Sequence, residues 1–155
     1  MAFKNEYLDS WRSDGKINLH NILETVSIHY LDLLNFHFGQ INNIQYYPKL
    51  ISNNGTSYDT NYITLEYEND VTASIFNSYA SPYINQISVL GTNGFLNIFE
   101  NQQKIFSPRD TFNSKGFFIV PPILENQTFI FESEYENSLK NSINYFLNHV
   151  KNNTM

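Results

Sequence analysis

The chain has 155 residues, 41% hydrophobic and 16% aromatic, which is enough apolar material to bury the core of one domain. Its formal charge of −6, with 9 Lys and Arg against 15 Asp and Glu and no basic cluster, repels a phosphate backbone and argues against nucleic acid as a partner. No run approaches the roughly 18 to 20 apolar residues that a membrane span needs, and the absence of cysteine removes disulfides, thiolate nucleophiles and thiolate metal ligands together.

The start lacks the apolar run of a signal peptide, so a cytoplasmic protein with no membrane partner is expected. Asn is abundant but interleaved with Ile, Leu, Phe and Tyr, which reads as compositional habit rather than low complexity. The sequon-like triplets at Asn54, Asn126 and Asn152 carry no weight for the same reason.

Residues Asn21 to Phe38 predict a helix. Ile22, Val26, Leu33 and Phe36 fall on one stripe, with Leu23, Tyr30 and Leu34 beside it. Asn18 or Asn21 is placed to cap its start, and Gly39 stands where a C-cap of positive φ is expected.

Short β-branched and aromatic runs follow, and predict antiparallel strands at Ile41 to Ser52, Asp59 to Tyr67, Val71 to Ser81, Ile84 to Leu90 and Phe95 to Phe99. Glu68-Asn69-Asp70 and Gly91-Thr92-Asn93-Gly94 read as hairpin turns. In the second run Ile63, Leu65 and Tyr67 form an apolar face, while Tyr62, Thr64 and Glu66 form a mixed polar and aromatic one that suits contact with something other than bulk water.

From Asn101 to Gln127 no period is sustained, and Pro108, Gly116, Pro121 and Pro122 interrupt the chain. A long excursion with one strand at Phe117 to Val120 is expected. Glu132 to Lys151 closes the chain as a second helix, with Tyr135, Leu139, Ile143, Phe146, Leu147 and Val150 at helical spacing, acids early and Lys151 late. There is no internal repeat and no linker, so residues 1–155 read as one α+β domain: a mostly antiparallel open sheet with both helices packed on one face.

Two segments carry a resemblance. Trp11-Arg12-Ser13-Asp14, followed by NILETVSIHYLDLLNFHFG from Asn21 to Gly39, resembles the start of the C-terminal domain in the Gfo/Idh/MocA family of NAD(P)-dependent sugar oxidoreductases. In that family a Trp-Arg pair commonly precedes a helix with a pattern close to G-G-x-x-x-D-x-G-x-H-x-x-D-L. Here His29, Asp32, Leu33 and Gly39 fall at matching positions, and the Gly91 to Gly94 turn is similar to the family's G-T-x-G. The sequence departs from the pattern at Thr25, where the family often has Asp, at Ser27, where it has Gly, and at His20-Asn21, where it has a Gly pair.

The resemblance implies a dihydrodipicolinate-reductase-like C-terminal domain. It implies that His29 faces the nicotinamide and acts as acid or base on a substrate hydroxyl, work suited to an imidazole of pKa about 6.5. Read without the family, His29 is equally a core-edge residue bonded to a neighbour. Thr25, one turn earlier, is placed to orient the ring or bind a sugar hydroxyl. Asp32 is either a partner for His29 or a solvated helix acid, and Arg12 either grips a phosphate or carboxylate or braces its loop. Trp11 reads as packing.

His20, His29 and His37 lack the spacing of a helical metal site, so no metal is expected. Glu132, Glu134 and Glu136 read as a solvated helix start, and no Ser sits in a nucleophile elbow. The sequence also contains no Gly-rich strand-to-helix turn of the kind that binds a dinucleotide. Met1-Ala2 therefore reads as a truncation ahead of the substrate domain, which binds no cofactor by itself, with NAD or NADP implied for the full-length parent. The expected role is the substrate-side and oligomerisation domain of a sugar or sugar-nucleotide oxidoreductase, inactive alone and homo-oligomeric through its open sheet face. The alternative is a stand-alone, non-catalytic module that binds a sugar or a protein.

Overall fold

The computed structural model describes residues 10–52, 55–107 and 111–152. The expectations placed on Met1-Ala2, Asn54 and Pro108 lie outside the described residues. The chain forms two compact units, one up to Tyr83 and the other from Ile84 onward.

In the first unit a 3-10 turn, Trp11–Ser13, leads through a loop to the first helix. That helix is not uniform. A π turn at Leu23–Ser27 precedes the α-helix α1, Ile28–Phe38, and Gly39 ends it at φ 87°. A π turn fits one more residue into the turn than an α-helix does, so it rotates everything after it relative to everything before it.

This rotation explains a departure from the predicted stripe. Ile22 is buried, but Leu33 and Phe36, placed on its face by an uninterrupted 3.6 period, are exposed, Phe36 at 82%. The side chains that reach the core are instead Leu23, Tyr30, Leu31, Leu34 and Phe38. Neither Asn predicted as the helix cap stands outside the fold: Asn18 and Asn21 are both buried.

Three antiparallel strands follow in the order β1 (Ile41–Lys49), β2 (Thr60–Tyr67) and β3 (Thr72–Ser78). β2 is central, and its alternation buries Asn61, Ile63, Leu65 and Tyr67. Ile63, Leu65, Tyr67 and Ile75 form the core on which the helix lies; each fully buried aliphatic side chain contributes about 1.5–3 kcal/mol. The β2–β3 hairpin turns at the predicted Glu68-Asn69-Asp70, with Asp70 at φ 64° and the Tyr67 N–H donating to the Val71 carbonyl.

The second unit holds a four-stranded antiparallel sheet in the order β4 (Gln86–Gly91), β5 (Gly94–Phe99), β6 (Gln102–Phe106) and β9 (Ile123–Thr128). Thr92 and Asn93 make the predicted tight turn, Gly91 pairing with Gly94. A small hairpin, β7 (Thr111–Phe112) with β8 (Phe118–Ile119), branches from it. The strand expected at Phe117 to Val120 is therefore present as β8. The rest of that stretch is a correction: β6 and β9 pair over most of their length, their ladder carrying a register shift at Ile105/Phe106. Mixed polar sequences such as Gln102-Gln103-Lys104 lack alternation because hydrogen-bonded neighbours, not a buried face, hold them.

The closing helix α2, Phe131–Lys151, forms as its period predicts. All six residues of its apolar stripe are exposed, and Leu147, the least so, is at 44%. Amphipathic spacing decides that a segment is helical and which side is apolar, but not what that side meets. The α+β class and the antiparallel pairing stand.

Candidate functional site

Several buried polar residues of the first unit, Ser13, Asn18, Asn21 and Ser27 among them, lie at or before the start of the helix. The loop before it is fastened to residues 55–58. Ser13 O accepts from the N–H groups of Thr56 at 2.8 Å and Ser57 at 3.1 Å, the Gly15 N–H donates to Thr56 Oγ1 at 2.7 Å, and the Tyr58 N–H donates to Leu19 O at 2.8 Å. Gly15 permits this approach, since a Cβ there would lie 2.4 Å from the Thr56 carbonyl oxygen. Arg12 sits on this fastened turn, exposed, with its guanidinium 4.8 Å from the centroid of the Trp11 ring.

Behind the loop, Asp59 takes N–H donors from Ile51 at 2.9 Å and Ser52 at 2.8 Å and a hydroxyl from Thr60 at 2.9 Å. Burial pushes its carboxyl upward, but these donors, the Ser52 contact first, outweigh burial and hold it below the usual carboxylate range. A depressed folded pKa means stability that is present above the unfolded value of about 3.9 and lost as pH falls through the folded one. Urea midpoints of the wild type are therefore expected to drop more steeply below about pH 4 than those of Asp59→Asn, whose baseline is lower throughout. Parallel slopes would remove Asp59 from the acid response.

Ser27 is fully buried and is the hub of an amide cluster. It accepts from Asn61 Nδ2 at 2.8 Å and Asn77 Nδ2 at 2.9 Å, while its own hydroxyl lies 3.2 Å from both Ile22 O and Asn61 Oδ1. The bond to a carbonyl five residues back spans the π turn itself. The cluster thus ties the altered helix start to β2 and β3.

Among the described residues no hydrogen bond links the four residues selected from the sequence. His29 is exposed on α1, and no hydrogen bond reaches its ring among the described residues. Asp32 is likewise exposed and does not bond His29. Thr25, half-buried in the π turn, donates to Asn21 O at 2.7 Å, so the Tyr79 hydroxyl at 2.9 Å donates to Thr25; neither bond goes to His29. Arg12 belongs to the preceding turn. What the arrangement offers chemically is a solvent-facing imidazole on a helix whose base is locked by buried polar bonds.

Sequence reasoning passed over Asn61, Asn77, Tyr79 and Tyr46. Asn61 carried a signal: it continues the inward-facing alternation of Ile63, Leu65 and Tyr67 with an amide, and a buried amide needs a partner. His20 has Nδ1 3.0 Å from the Tyr46 hydroxyl. Among the described residues no three His, Asp or Glu side chains gather as a metal would require.

The sequence matches the GFO/IDH/MocA C-terminal domain over residues 1–97. The chain belongs to this family. None of the proteins of curated function matches it. Among solved structures, this family domain is similar to an oxidoreductase from Agrobacterium radiobacter in complex with NAD+, L-tartaric acid and magnesium, at TM-score 0.56 and 22% identity over 77% of this chain and 34% of that one. It is also similar to an oxidoreductase from Thermotoga maritima, at TM-score 0.57 and 20% identity over 79% and 35%. A third is the WlbA dehydrogenase from Bordetella pertussis in complex with NADH and UDP-GlcNAcA, at TM-score 0.53 and 21% identity over 63% and 32%. At these identities the likeness is one of fold. The chain spans about a third of the length of each of them.

Proposed function

We propose that this family domain supplies the substrate-side wall of an NAD(P)-dependent oxidoreductase acting on a sugar or sugar nucleotide, in a cytoplasmic homo-oligomer. The observation that carries the reading is His29, at the family's His position, exposed and without a hydrogen-bond partner among the described residues, on a helix anchored by the Ser27 cluster. Such an imidazole is free to take the proton from a substrate hydroxyl, and a fixed helix keeps it in place. Arg12, on its fastened turn, binds a phosphate or carboxylate of the substrate. Thr25 and Asp32 complete the substrate contacts, Thr25 through the oxygen it shares with Tyr79.

The nicotinamide cofactor does not fit the described residues. Gly91 and Gly94 close a hairpin between antiparallel strands, so no helix N-terminus is aimed at a pyrophosphate there. In this reading a dinucleotide-binding domain outside these residues holds it. No helix among the described residues is long and apolar enough to cross a membrane.

Calorimetry tests this. UDP-N-acetylglucosamine is expected to bind the chain with Kd about 0.1–1 mM, weakened at least threefold by Arg12→Ala, with no heat from NADH or NADPH. Sedimentation of the same sample at about 20 µM is expected to give a dimer. Tight nicotinamide binding, or nucleotide-sugar affinity untouched by Arg12→Ala, would sink the assignment, and a monomer would remove its oligomeric part.

A further inference from the structure

The Gly91–Gly94 turn between β4 and β5 carries chemistry that the substrate-side reading leaves unused. Thr92 and Asn93 are its loop residues, closed by the pairing of Gly91 with Gly94. Asn93 is exposed, and its carboxamide makes no hydrogen bond among the described residues. Gly94 stands at φ 124°, a conformation that a residue with a Cβ rarely adopts. When glycine follows asparagine, no Cβ stands between the next backbone nitrogen and the carboxamide carbon, and the two can meet.

Other asparagines on turns lack these features. Asn69, in the β2–β3 hairpin, donates from Nδ2 to Phe38 O at 3.1 Å and accepts at Oδ1 from the Val71 N–H at 3.4 Å, and it is followed by Asp70. Asn113 accepts at Oδ1 from the N–H groups of Lys115 at 2.9 Å and Phe117 at 3.0 Å, and Ser114 follows it. Asn93 is both unheld and followed by glycine. The tip of a hairpin also opens at little cost, because only the closing pair has to part. Asn93 can therefore rotate into a reactive geometry while β4 and β5 stay paired.

We propose that Asn93 is a site of spontaneous deamidation. The Gly94 nitrogen gives up its proton to solvent and attacks Cγ of Asn93. A C–N bond forms, the bond from Cγ to Nδ2 breaks, and Nδ2 leaves as ammonia after taking a proton from solvent. The five-membered succinimide that results takes up one water, which opens either of its acyl C–N bonds and leaves aspartate or isoaspartate at position 93. No electrons are exchanged, and water is the only co-reactant. Either product adds one negative charge to the formal −6. Isoaspartate also routes the main chain through Cβ, which lengthens the tight loop and works against the Gly91–Gly94 pairing. Gly91, Thr92 and Gly94 wall a cleft with Leu90, Phe95, Ser107 and Pro121, so the new charge arises at its rim.

The test is a chymotryptic peptide map of the full chain after incubation at physiological temperature. The peptide holding Asn93 is expected to show the mass increase of amide-to-acid conversion, and to become a substrate for an isoaspartyl methyltransferase, at least about tenfold faster than peptides holding Asn69 or Asn113. Conversion is expected to run several-fold faster at about pH 8 than at about pH 6, because the attacking nitrogen must first lose its proton. Asn93→Gln is expected to abolish the signal, since the longer side chain would have to close a six-membered ring. The excised Asn93 peptide, incubated alone, is the control. If that peptide converts while Asn93 in the folded chain keeps its amide, the proposal is overturned. Conversion confined to the other Asn-Gly step of the sequence, Asn54-Gly55, a rate indifferent to pH, or a signal that survives Asn93→Gln overturns it as well.

Discussion

Ser27→Ala is expected to lower the stability of the chain by about 3 kcal/mol, because it strands two buried amide donors at once. Asn61 is fully buried and Asn77 partly so, and the Nδ2 of each donates to the single Ser27 oxygen. A lost bond between exposed groups is replaced by water and costs little; a buried donor left without an acceptor costs its desolvation, about 1–3 kcal/mol. The comparison with Asn61→Leu separates this effect from simple packing. Leucine has a similar volume and no polar atoms, and Ser27 retains Asn77 as donor and Ile22 O as acceptor. The double variant Ser27→Ala/Asn61→Leu is therefore expected to be more stable than the sum of the single losses predicts, by at least about 1 kcal/mol in a double-mutant cycle. Chemical denaturation of the four proteins measures it. Strict additivity would mean that the cluster is not a unit.

Gly15→Ala is expected to cost about 2–3 kcal/mol, for a steric reason. The added carbon would sit 2.4 Å from the oxygen and 2.8 Å from the carbon of the Thr56 carbonyl, and a backbone group cannot swing aside as a side-chain end can. The two segments must part, and with them go the Gly15-to-Thr56 bond and the bonds from Thr56 and Ser57 to Ser13 O. Gly39 offers the contrasting case. Nothing lies within 4 Å of its notional Cβ, but φ is 87°, so Gly39→Ala pays only the conformational penalty, about 1 kcal/mol. Thermal unfolding of both variants distinguishes the mechanisms. Gly15→Ala is also expected to weaken whatever Arg12 binds, since the turn that holds Arg12 is part of the fastened loop. Equal losses for the two glycine variants would show that the approach of the two loops carries no special weight.

The sequence by itself determined the elements whose cause is local. Period 3.6 marks both helices, alternation marks β2 with its buried Ile63, Leu65 and Tyr67, and the turns at Glu68–Asp70 and Gly91–Gly94 follow from residues that tolerate positive φ or tight reversal. It also carried the family, through Trp11-Arg12 and the His29 helix.

The tertiary structure decided the rest. Whether the helix is α or π at Leu23–Ser27 depends on Ser27 meeting Asn61 and Asn77, residues 34 and 50 positions away, and no local period encodes a bond over that separation. The same turn selects which apolar residues face the core, so Phe36 is exposed although its spacing from Ile22 suits burial. β6 and β9 were illegible because their pairing rests on ladder hydrogen bonds between mixed sequences that show no buried face. His20 met the Tyr46 hydroxyl only when β1 brought it to Nδ1, 26 residues along the chain. Local sequence fixes conformation where propensity and pattern agree; buried polar partners are chosen by the fold, because the cost of leaving them unpaired arises only once water has been excluded.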